Sequence, residues 1–277
     1  MNPRDDQPLP SDVLSVVPAD AASLLELSVA LAREAGAAAV ALRPNAVMSA
    51  TTKSSPTDPV TEADAAAEKI IVEGILSVRP DDGIVGEEGT SRAGQSNVKW
   101  FIDPIDGTVN YLYGIPAFSV SVAAEIDGRM SVGVVYNPLT GDLYTATLAG
   151  GSFRNGEPIL VRSGAALETA LIGTGFGYQS EDRAAQAQIL TSVLPRIRDI
   201  RRFGSAALDL CSVAAGQLDG YYEAGLNVWD YAAGKLIVEE SGGACRLVEA
   251  TEDRPEWLFA GSPPIIDQLG QIVVATT

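Results

Sequence analysis

The sequence contains no histidine among its 277 residues. Histidine is the usual proton shuttle of hydrolases and the commonest ligand of transition metals in proteins. Its absence excludes Ser-His-Asp and Cys-His hydrolysis and argues against a zinc site. The catalytic chemistry that remains is that of carboxylates acting with a hard metal ion.

Cysteine and basic side chains are also scarce. Only Cys211 and Cys245 occur, with no Cys-x-x-Cys pair, which fits a reduced, cytoplasmic setting. The 19 Lys and Arg residues are outnumbered by 36 Asp and Glu residues, and the formal net charge is −17. We expect no nucleic-acid partner, because most of the surface would repel a phosphate backbone. A protein this acidic needs a local positive charge if it is to hold an anionic ligand, and bound metal ions can supply that charge.

The sequence has no segment with the features of a membrane span or a signal peptide. Its most apolar run, Leu24–Leu42, is interrupted by Glu26, Arg33 and Glu34. The first 20 residues contain acids and four prolines, but no basic region followed by an apolar block. We expect a mobile tail over residues 1–20, followed by a soluble protein without membrane contact.

Hydrophobic periodicity predicts both helices and strands. Apolar residues at three- and four-residue steps indicate a first helix that ends near Arg43-Pro44. Capping-box spacing at Thr61 indicates a second helix directly after it. From about Trp100, short strand-like runs separated by turn signals indicate an antiparallel meander.

Strands and helices continue to alternate in the second part of the sequence. This order favours a mixed α/β fold of packed layers. We find no repeat, low-complexity tract or long linker, so we predict one domain over residues 21–277, with halves of about 21–164 and 165–277.

The strongest chemical signal is the segment Trp100–Thr108, where an apolar strand runs into two acids, Asp103 and Asp106. Clustered carboxylates at a strand end are unfavourable unless a cation neutralises them. Pro104 stiffens the turn and Gly107 permits a tight backbone, so both acids can face a common point that suits Mg²⁺. The alternative is an Asp-Pro turn followed by an Asp-Gly turn in a surface loop.

Two further acids can join this site. Glu87 lies in a glycine-flanked loop after a short strand, and Asp230 lies at the predicted N-cap of a helix. Taken alone, Asp230 is more often just a cap. Together with Asp103 and Asp106, these acids can hold two or more divalent cations, which would stabilise the attacking and leaving oxygens in phosphoryl transfer.

Thr108 and Asp64 suggest how the attacking water is activated. A threonine hydroxyl that is oriented by a carboxylate can take part in this step. The segment that leads to Asp64 also fits a solvated loop followed by an N-capped helix, and we keep that interpretation for residues 54–59.

Four blocks of the sequence resemble the signature blocks of the inositol monophosphatase family. They are KSSPTDPVTEAD (residues 53–64), GEEG (86–89), WFIDPIDGTVN (100–110) and WDYAAG (229–234). Their order and separation match the family, and the similarity extends over about residues 24–270. The resemblance implies a layered αβαβα sandwich of the sugar-phosphatase type.

The resemblance also implies roles for individual residues. The ligands of two or three Mg²⁺ ions would be Glu87, Asp103, the backbone carbonyl of Ile105, Asp106 and Asp230. The catalytic residues would be Glu87, Thr108 and Asp64, which position and activate the attacking water. The backbone amides of Gly107 and Thr108 would hold the phosphate, and attack would be in line without a phosphoenzyme.

Substrate recognition is implied for a second region. Its residues would be Gly204, Ser205, Ala206, Glu223 and Asp230. Residues 204–206 could be only a helix N-terminus, and from spacing alone Glu223 could equally be a surface glutamate. Asn227 stands where many relatives have a histidine, so we expect a shift in substrate preference rather than a loss of catalysis.

The implied function is Mg²⁺-dependent hydrolysis of inositol 1-phosphate or a similar polyol phosphate. Relatives act on histidinol phosphate, fructose 1,6-bisphosphate or adenosine 3′,5′-bisphosphate, and a non-enzymatic regulatory or interaction protein on the same fold is a further alternative. The resemblance also implies a homodimer and inhibition by Li⁺. No function is assigned to residues 173–178.

Overall fold

The computed structural model describes residues 20–49, 51–52, 59–251 and 255–276. Within these ranges the helices are α1 (Ala21–Ser49), α2 (Glu62–Val78), α3 (Thr108–Tyr113), α4 (Ser180–Val193), α5 (Ala206–Ala214), α6 (Val228–Glu240) and α7 (Pro263–Val274). None of these described helices combines the length and the apolar character that a bilayer crossing requires. Apart from Asp20, the predicted tail lies outside the described residues.

The strands fall into three sheets among the described residues. They are β1 (Thr51–Thr52), β2 (Pro59–Val60), β3 (Gly83–Gly86), β4 (Ser91–Arg92), β5 (Val98–Asp106), β6 (Ser119–Ile126), β7 (Arg129–Tyr136), β8 (Leu143–Thr147), β9 (Gly151–Arg154), β10 (Glu157–Pro158), β11 (Leu171–Thr174), β12 (Asp199–Arg201), β13 (Gly220–Ala224), β14 (Ala244–Val248) and β15 (Trp257–Gly261). The first two form a small sheet of their own.

The largest sheet has the order β10-β9-β8-β7-β6-β5-β3-β4. From β5 to β10 each strand pairs antiparallel with the next one in sequence, which confirms the predicted meander. Successive side chains of a strand point to opposite faces, and both faces of β5 are covered. Trp100 and Ile102 pack in the core beneath α1 and α2, whereas Phe101 packs in the core on the other face.

A layer formed by α5 and α6 separates the largest sheet from the remaining one. Its core joins residues of β5 to β8 with residues of β13 and β15. The remaining sheet has the order β12-β11-β13-β15-β14, and its outer face packs against α4 and α7. The layers therefore run helix, sheet, helix, sheet, helix, which confirms the predicted αβαβα sandwich. Both cysteines are free thiols within this structure.

Helix α1 is longer than the sequence predicts. It continues through Pro44 to Ser49, so the predicted end near Arg43-Pro44 is wrong. Proline has no amide hydrogen, which leaves the carbonyl of Val40 without its helical partner, but Val40 lies at the surface where water can bind that carbonyl. Arg43 donates its Nε–H to the carbonyl of Tyr111 at 3.0 Å, and this tertiary contact favours continuation of the helix.

The start of α6 also differs from the prediction. Asn227 is the N-cap, and Asp230 is the third helical residue rather than the cap itself. The Asp230 carboxylate accepts a hydrogen bond from the backbone N–H of Asn227 at 2.6 Å. An acid at this position satisfies the N-cap amide, which is the second half of a capping box.

Candidate active site

A cavity of about 610 Å³ is lined by residues of both large sheets and of helices α3 to α6. All the predicted site residues are in the described part of the chain, and all except Asp64 and Ser205 line this cavity. Residues far apart in sequence therefore converge, from Glu87 at the end of β3 to Asp230 at the start of α6. The alternative of two isolated surface turns at Asp103 and Asp106 is wrong, because both side chains are buried.

A break in the strand pairing explains how Asp103 and Asp106 reach the same cavity. In a regular strand, residues three apart point to opposite faces of the sheet. The pairing of β5 with β6 shifts register between Asp103 and Asp106, at the point where Pro104 cannot donate a ladder hydrogen bond. The shift rotates the backbone, and both carboxylates line the cavity.

Asp106 is bound to the N-terminus of α5. Its carboxylate accepts hydrogen bonds from the backbone N–H groups of Ala206 at 3.2 Å and Ala207 at 2.8 Å, and from the hydroxyl of Ser205. A helix N-terminus favours a negative charge. Burial nevertheless raises the pKa of Asp106 to about 6, and the three hydrogen bonds only partly oppose that shift.

The other carboxylates are held close to one another. Asp103 shares a hydrogen bond with Glu87, and burial followed by repulsion from Glu87, Asp106 and Asp230 raises its pKa well above the usual range. Burial likewise raises the pKa of Asp230, against the hydrogen bond from the Asn227 amide. Buried acids that repel one another in this way favour the binding of a neutralising cation.

The donor set of the cavity fits a hard divalent cation. Carboxylate and carbonyl oxygens are the ligands that Mg²⁺ prefers, and Glu87, Asp103 and Asp106 supply them beside the carbonyl of Ile105. Within the described residues, Arg202 is the single cationic side chain on the lining. The described residues contain no three acids already gathered around one point as a metal cage. The acids thus line one cavity without converging on one point. Oxygens of Asp106 and Asp230 accept hydrogen bonds from backbone amides.

Thr108 and Asp64 are brought together across 44 residues of sequence. The Thr108 hydroxyl lies 3.4 Å from Oδ1 of Asp64 and 3.1 Å from the carbonyl oxygen of Ile105. The second oxygen of Asp64 accepts from the backbone N–H and the hydroxyl of Thr61. Asp64 lies behind the lining and reaches the cavity through Thr108.

Gly107, just before α3, and Gly204, just before α5, lie in close contact. Both have φ near +90°, a conformation that glycine adopts without strain. A Cβ atom on Gly107 would lie 2.9 Å from the carbonyl oxygen of Gly204 and 3.1 Å from that of Ala117. Gly204 and Ala206 line the cavity, whereas Ser205 lies behind them as the N-cap of α5.

Glu223 extends from β13 into the same cavity. It accepts a hydrogen bond from the hydroxyl of Tyr221. Burial raises the pKa of Glu223 to about 7, while Tyr221 and Arg202 act in the opposite direction. Gly175 leaves room for this carboxylate, since a Cβ atom there would lie 2.0 Å from it. Glu223 is therefore a cavity residue and not an ordinary surface glutamate.

Several lining residues were not predicted from the sequence. They are Arg202 and a group from the loop after β11, from α4 and from β15 that includes Phe176, Tyr178, Gln186 and Trp257. The glycine-rich stretch 173–178 was the available signal, because Gly175 and Gly177 allow the backbone to approach Glu223 and Asp182 closely. Residues 53–58 of the first signature block lie outside the described residues.

Comparison with known proteins decides the family. Residues 20–267 match the model of the inositol monophosphatase family. The chain belongs to the inositol monophosphatase family. This confirms the resemblance found in the four sequence blocks. Membership in the inositol monophosphatase family supports a phosphatase, suggests small phosphate-ester substrates and is generally associated with metal dependence.

Individual relatives of the inositol monophosphatase family carry two kinds of name. The chain is 48% identical over 204 residues to inositol-1-monophosphatase of Mycobacterium leprae, with 70% of each chain covered. It is 44% identical over 195 residues to Nus factor SuhB of Pasteurella multocida, covering 70% of this chain and 73% of that one. The crystal structure of extragenic suppressor protein suhB from Bartonella henselae superposes with a TM-score of 0.83 at 36% identity, covering 91% and 98% of the two chains.

Proposed function

We propose that the protein is a Mg²⁺-dependent phosphomonoesterase that hydrolyses inositol 1-phosphate or a similar polyol phosphate. The observation that carries the proposal is one cavity that joins four acids of metal-binding type with a carboxylate-oriented hydroxyl, Thr108, and a second acid, Glu223. The proposal includes a homodimer, inhibition by Li⁺ and a cytoplasmic location, which rest on the family resemblance.

Five oxygen-donating residues would hold two or three Mg²⁺ ions. They are Glu87, Asp103, Ile105 through its carbonyl, Asp106 and Asp230. When bound, Mg²⁺ supplies the positive charge that polarises the phosphoryl group and makes water a stronger nucleophile at neutral pH. The acidic side chains contribute by keeping several anionic oxygens in a buried place, where each interaction with a cation is stronger than in water.

The residues around Thr108 would orient the attacking water. A Thr108 hydroxyl that donates its hydrogen to Asp64 or to the Ile105 carbonyl presents its lone pairs elsewhere and can accept a hydrogen bond from water. Thr61 holds the other oxygen of Asp64, so this carboxylate keeps its place beside the Thr108 hydroxyl. Glu87 would position the water, and the backbone amides of Gly107 and Thr108 would hold the phosphate for in-line attack.

The second half of the chain would bind the leaving alcohol. Glu223 can accept hydrogen bonds from substrate hydroxyls, and the backbone of Gly204, Ser205 and Ala206 adds polar groups nearby. Asp230 lines the cavity, and one of its oxygens accepts a hydrogen bond from the Asn227 amide. A hydroxyl-rich leaving group satisfies these acceptors, whereas a purine base would offer Glu223 little.

The direct test is a substrate panel measured with Mg²⁺ and with EDTA. It would contain inositol 1-phosphate, histidinol phosphate, fructose 1,6-bisphosphate and adenosine 3′,5′-bisphosphate. We expect inositol 1-phosphate to give the highest kcat/KM and EDTA to abolish turnover. Asp106→Asn should lower kcat by about a thousandfold or more, an effect of the size expected for loss of strong electrostatic stabilisation. A tenfold preference for histidinol phosphate would contradict the substrate assignment.

A second candidate function is suggested by the relative called Nus factor SuhB. On that account the chain acts as an interaction protein and turnover is incidental. Every predicted metal and water-activating position carries a suitable side chain, which favours the enzyme. Wild-type protein without Mg²⁺-stimulated phosphatase activity on the whole panel would instead favour the interaction protein.

A further inference from the structure

Glu68 is a buried carboxylate to which the proposed reaction gives no role. It lies on α2, is only 4% exposed, and accepts three hydrogen bonds from one loop. The donors are the backbone N–H of Glu88 at 2.8 Å, the backbone N–H of Thr90 at 3.2 Å and the hydroxyl of Thr90 at 2.6 Å. A buried carboxylate is costly unless such donors satisfy it, so Glu68 and this loop stabilise each other.

The loop bonded to Glu68 is the one that carries Glu87. On one side the backbone N–H of Glu87 donates to the carbonyl of Ile102 on β5 at 3.1 Å. The loop closes on itself through the N–H of Gly86, which donates to the carbonyl of Thr90 at 2.7 Å. Glu68 binds the other side. The backbone at Glu87 is therefore fixed between a strand and a helix.

The contact between Glu68 and the loop requires a glycine at position 86. A Cβ atom at residue 86 would lie 2.4 Å from a carboxylate oxygen of Glu68. That distance is shorter than any van der Waals contact, so a side chain at position 86 would displace Glu68 or the loop. The first glycine of the GEEG block thus makes room for the carboxylate that holds the block in place.

Helix α2 connects two parts of the site through one face. Asp64 and Glu68 are four residues apart, which places them on the same side of the helix. Asp64 contacts the Thr108 hydroxyl, and Glu68 binds the loop that carries Glu87. A movement of α2 would therefore shift both the water-orienting hydroxyl and a candidate metal ligand.

We propose that Glu68 is a positioning residue that holds the Glu87 loop and thereby sets the affinity of the cavity for divalent cations. The inference rests on the proposed function, since it needs Glu87 to be a ligand. Glutamine at position 68 offers one acceptor oxygen in place of two, and its NH₂ group would face an N–H donor. The loop would lose at least one of its three bonds, and Glu87 would lose its fixed place beside Asp103.

The experiment measures metal binding directly in the full-length protein. Mn²⁺ is titrated calorimetrically into wild type, Glu68→Gln and Glu73→Gln, with thermal unfolding in EDTA as a check on folding. Glu73 lies on the same helix but is 69% exposed and pairs with Lys69, so its variant controls for the loss of one charge. Replacing a group that supports a metal ligand typically weakens affinity 10- to 100-fold, so we expect Glu68→Gln to raise the Mn²⁺ Kd about tenfold. Glu73→Gln should stay within about twofold of wild type, as expected for an exposed pair.

Thr90→Val provides a second variant that removes only the hydroxyl donor. It should raise the Kd by a smaller factor, about threefold, and should have little further effect in the Glu68→Gln background, because the two residues act through one contact. Amide hydrogen exchange at residues 88 and 90 should become faster in both variants. If Glu68→Gln unfolds, Thr90→Val alone carries the test.

The outcomes separate this proposal from the proposed function. If wild type binds Mn²⁺ and the variants Glu68→Gln and Thr90→Val bind it equally well, Glu68 has no positioning role and the phosphatase proposal stands. If wild type binds no Mn²⁺, the proposed function fails and there is no ligand for Glu68 to position. A weakened Kd confined to the Glu68 and Thr90 variants supports the inference.

Discussion

Burial of the individual acids in the cavity lowers the stability of the folded chain when these acids are ionised. Burial raises the pKa values of Asp103, Asp106 and Asp230, and repulsion among the acids contributes to the rise. A carboxyl whose pKa is raised by folding destabilises the native state when it ionises. A bound cation would offset this cost, because anything that binds only the folded state stabilises it.

Glu223 should make the free energy of unfolding depend measurably on pH. Its pKa is raised from 4.5 to about 7, so between these values the native state binds more protons than the unfolded state. The free energy of unfolding of the metal-free protein should therefore fall as the pH rises through this window. In urea unfolding at pH 5 and pH 8, Glu223→Gln should reduce that fall by about 2 kcal/mol relative to wild type.

The exposed Glu168 provides the matched control for this measurement. Glu168→Gln should show the same loss of stability between pH 5 and pH 8 as wild type. An unchanged pH dependence in Glu223→Gln would show that Glu223 does not titrate in this window.

At the residue scale, part of the candidate site could be predicted from the sequence. Three acids could be identified because they lie at strand ends within the GEEG and WFIDPIDGTVN blocks, where clustered carboxylates are unusual unless a cation neutralises them. They are Glu87, Asp103 and Asp106. Glu68 could not be found in this way, because in a helical pattern it looks like any polar residue, and its donors appear only when the loop folds against α2. Arg202 lines the cavity with its guanidinium against Gly204, a contact that no local pattern in the sequence shows.

At the scale of secondary-structure elements, local sequence signals were reliable where nearby side chains make the backbone hydrogen bonds at a helix end. The capping box at Thr61 predicted the start of α2 correctly. The proline signal for the end of α1 failed, because the contact of Arg43 with Tyr111 is tertiary and cannot be read from neighbouring residues. The three-residue shift at Asp230 has a local origin, since an acid can serve as the N-cap or as the third helical residue, and here Asn227 is the N-cap.

The N-cap of α2 serves both stability and the site. Thr61→Ala removes the hydroxyl that accepts from Ala63 and donates to Asp64, and loss of an N-cap side chain costs about 1 kcal/mol. It should also lower kcat, because Asp64 loses one of the groups that orient it toward Thr108. Urea unfolding and the Mg²⁺-dependent assay check the two effects.

Ser262 offers a matched comparison, as it is the N-cap of α7 but its side chain makes no capping hydrogen bond. Ser262→Ala should cost less than about 0.5 kcal/mol and leave kcat unchanged. Equal losses of stability in Thr61→Ala and Ser262→Ala would contradict the role given to the Thr61 hydroxyl.

At the scale of the whole molecule, the site depends on how the two large sheets pack against the helices between them. Strands β3 to β10 precede residue 159, and strands β11 to β15 follow residue 170. Helices α5 and α6 also follow residue 170, yet they pack on the largest sheet. The predicted division of residues 21–277 into two halves within one domain stays a prediction. The close approach of Gly107 to Gly204 is the point at which this packing is most sensitive.

Gly107→Ala tests that approach. Its Cβ atom would meet two backbone carbonyls at 2.9 and 3.1 Å, and φ of +92° adds strain. We expect a loss of about 2 kcal/mol or more in the free energy of unfolding, together with a loss of activity. Gly128→Ala has a similar φ of +77° but meets open space, so it should cost about 1 kcal/mol and leave activity intact. Equal costs in the two variants would show that the contact between Gly107 and Gly204 is not constrained.

The central claim is that Glu87, Asp103, Asp106 and Asp230 bind divalent cations next to a phosphate. It is tested most directly by a crystal structure of the wild-type protein grown with Mn²⁺ and inorganic phosphate, with the metal located by anomalous scattering. We predict two or three anomalous peaks within coordination distance of these carboxylates, with phosphate beside the amides of Gly107 and Thr108. Ordered side chains with no peak in the cavity, at Mn²⁺ concentrations that saturate related phosphatases, would contradict the account.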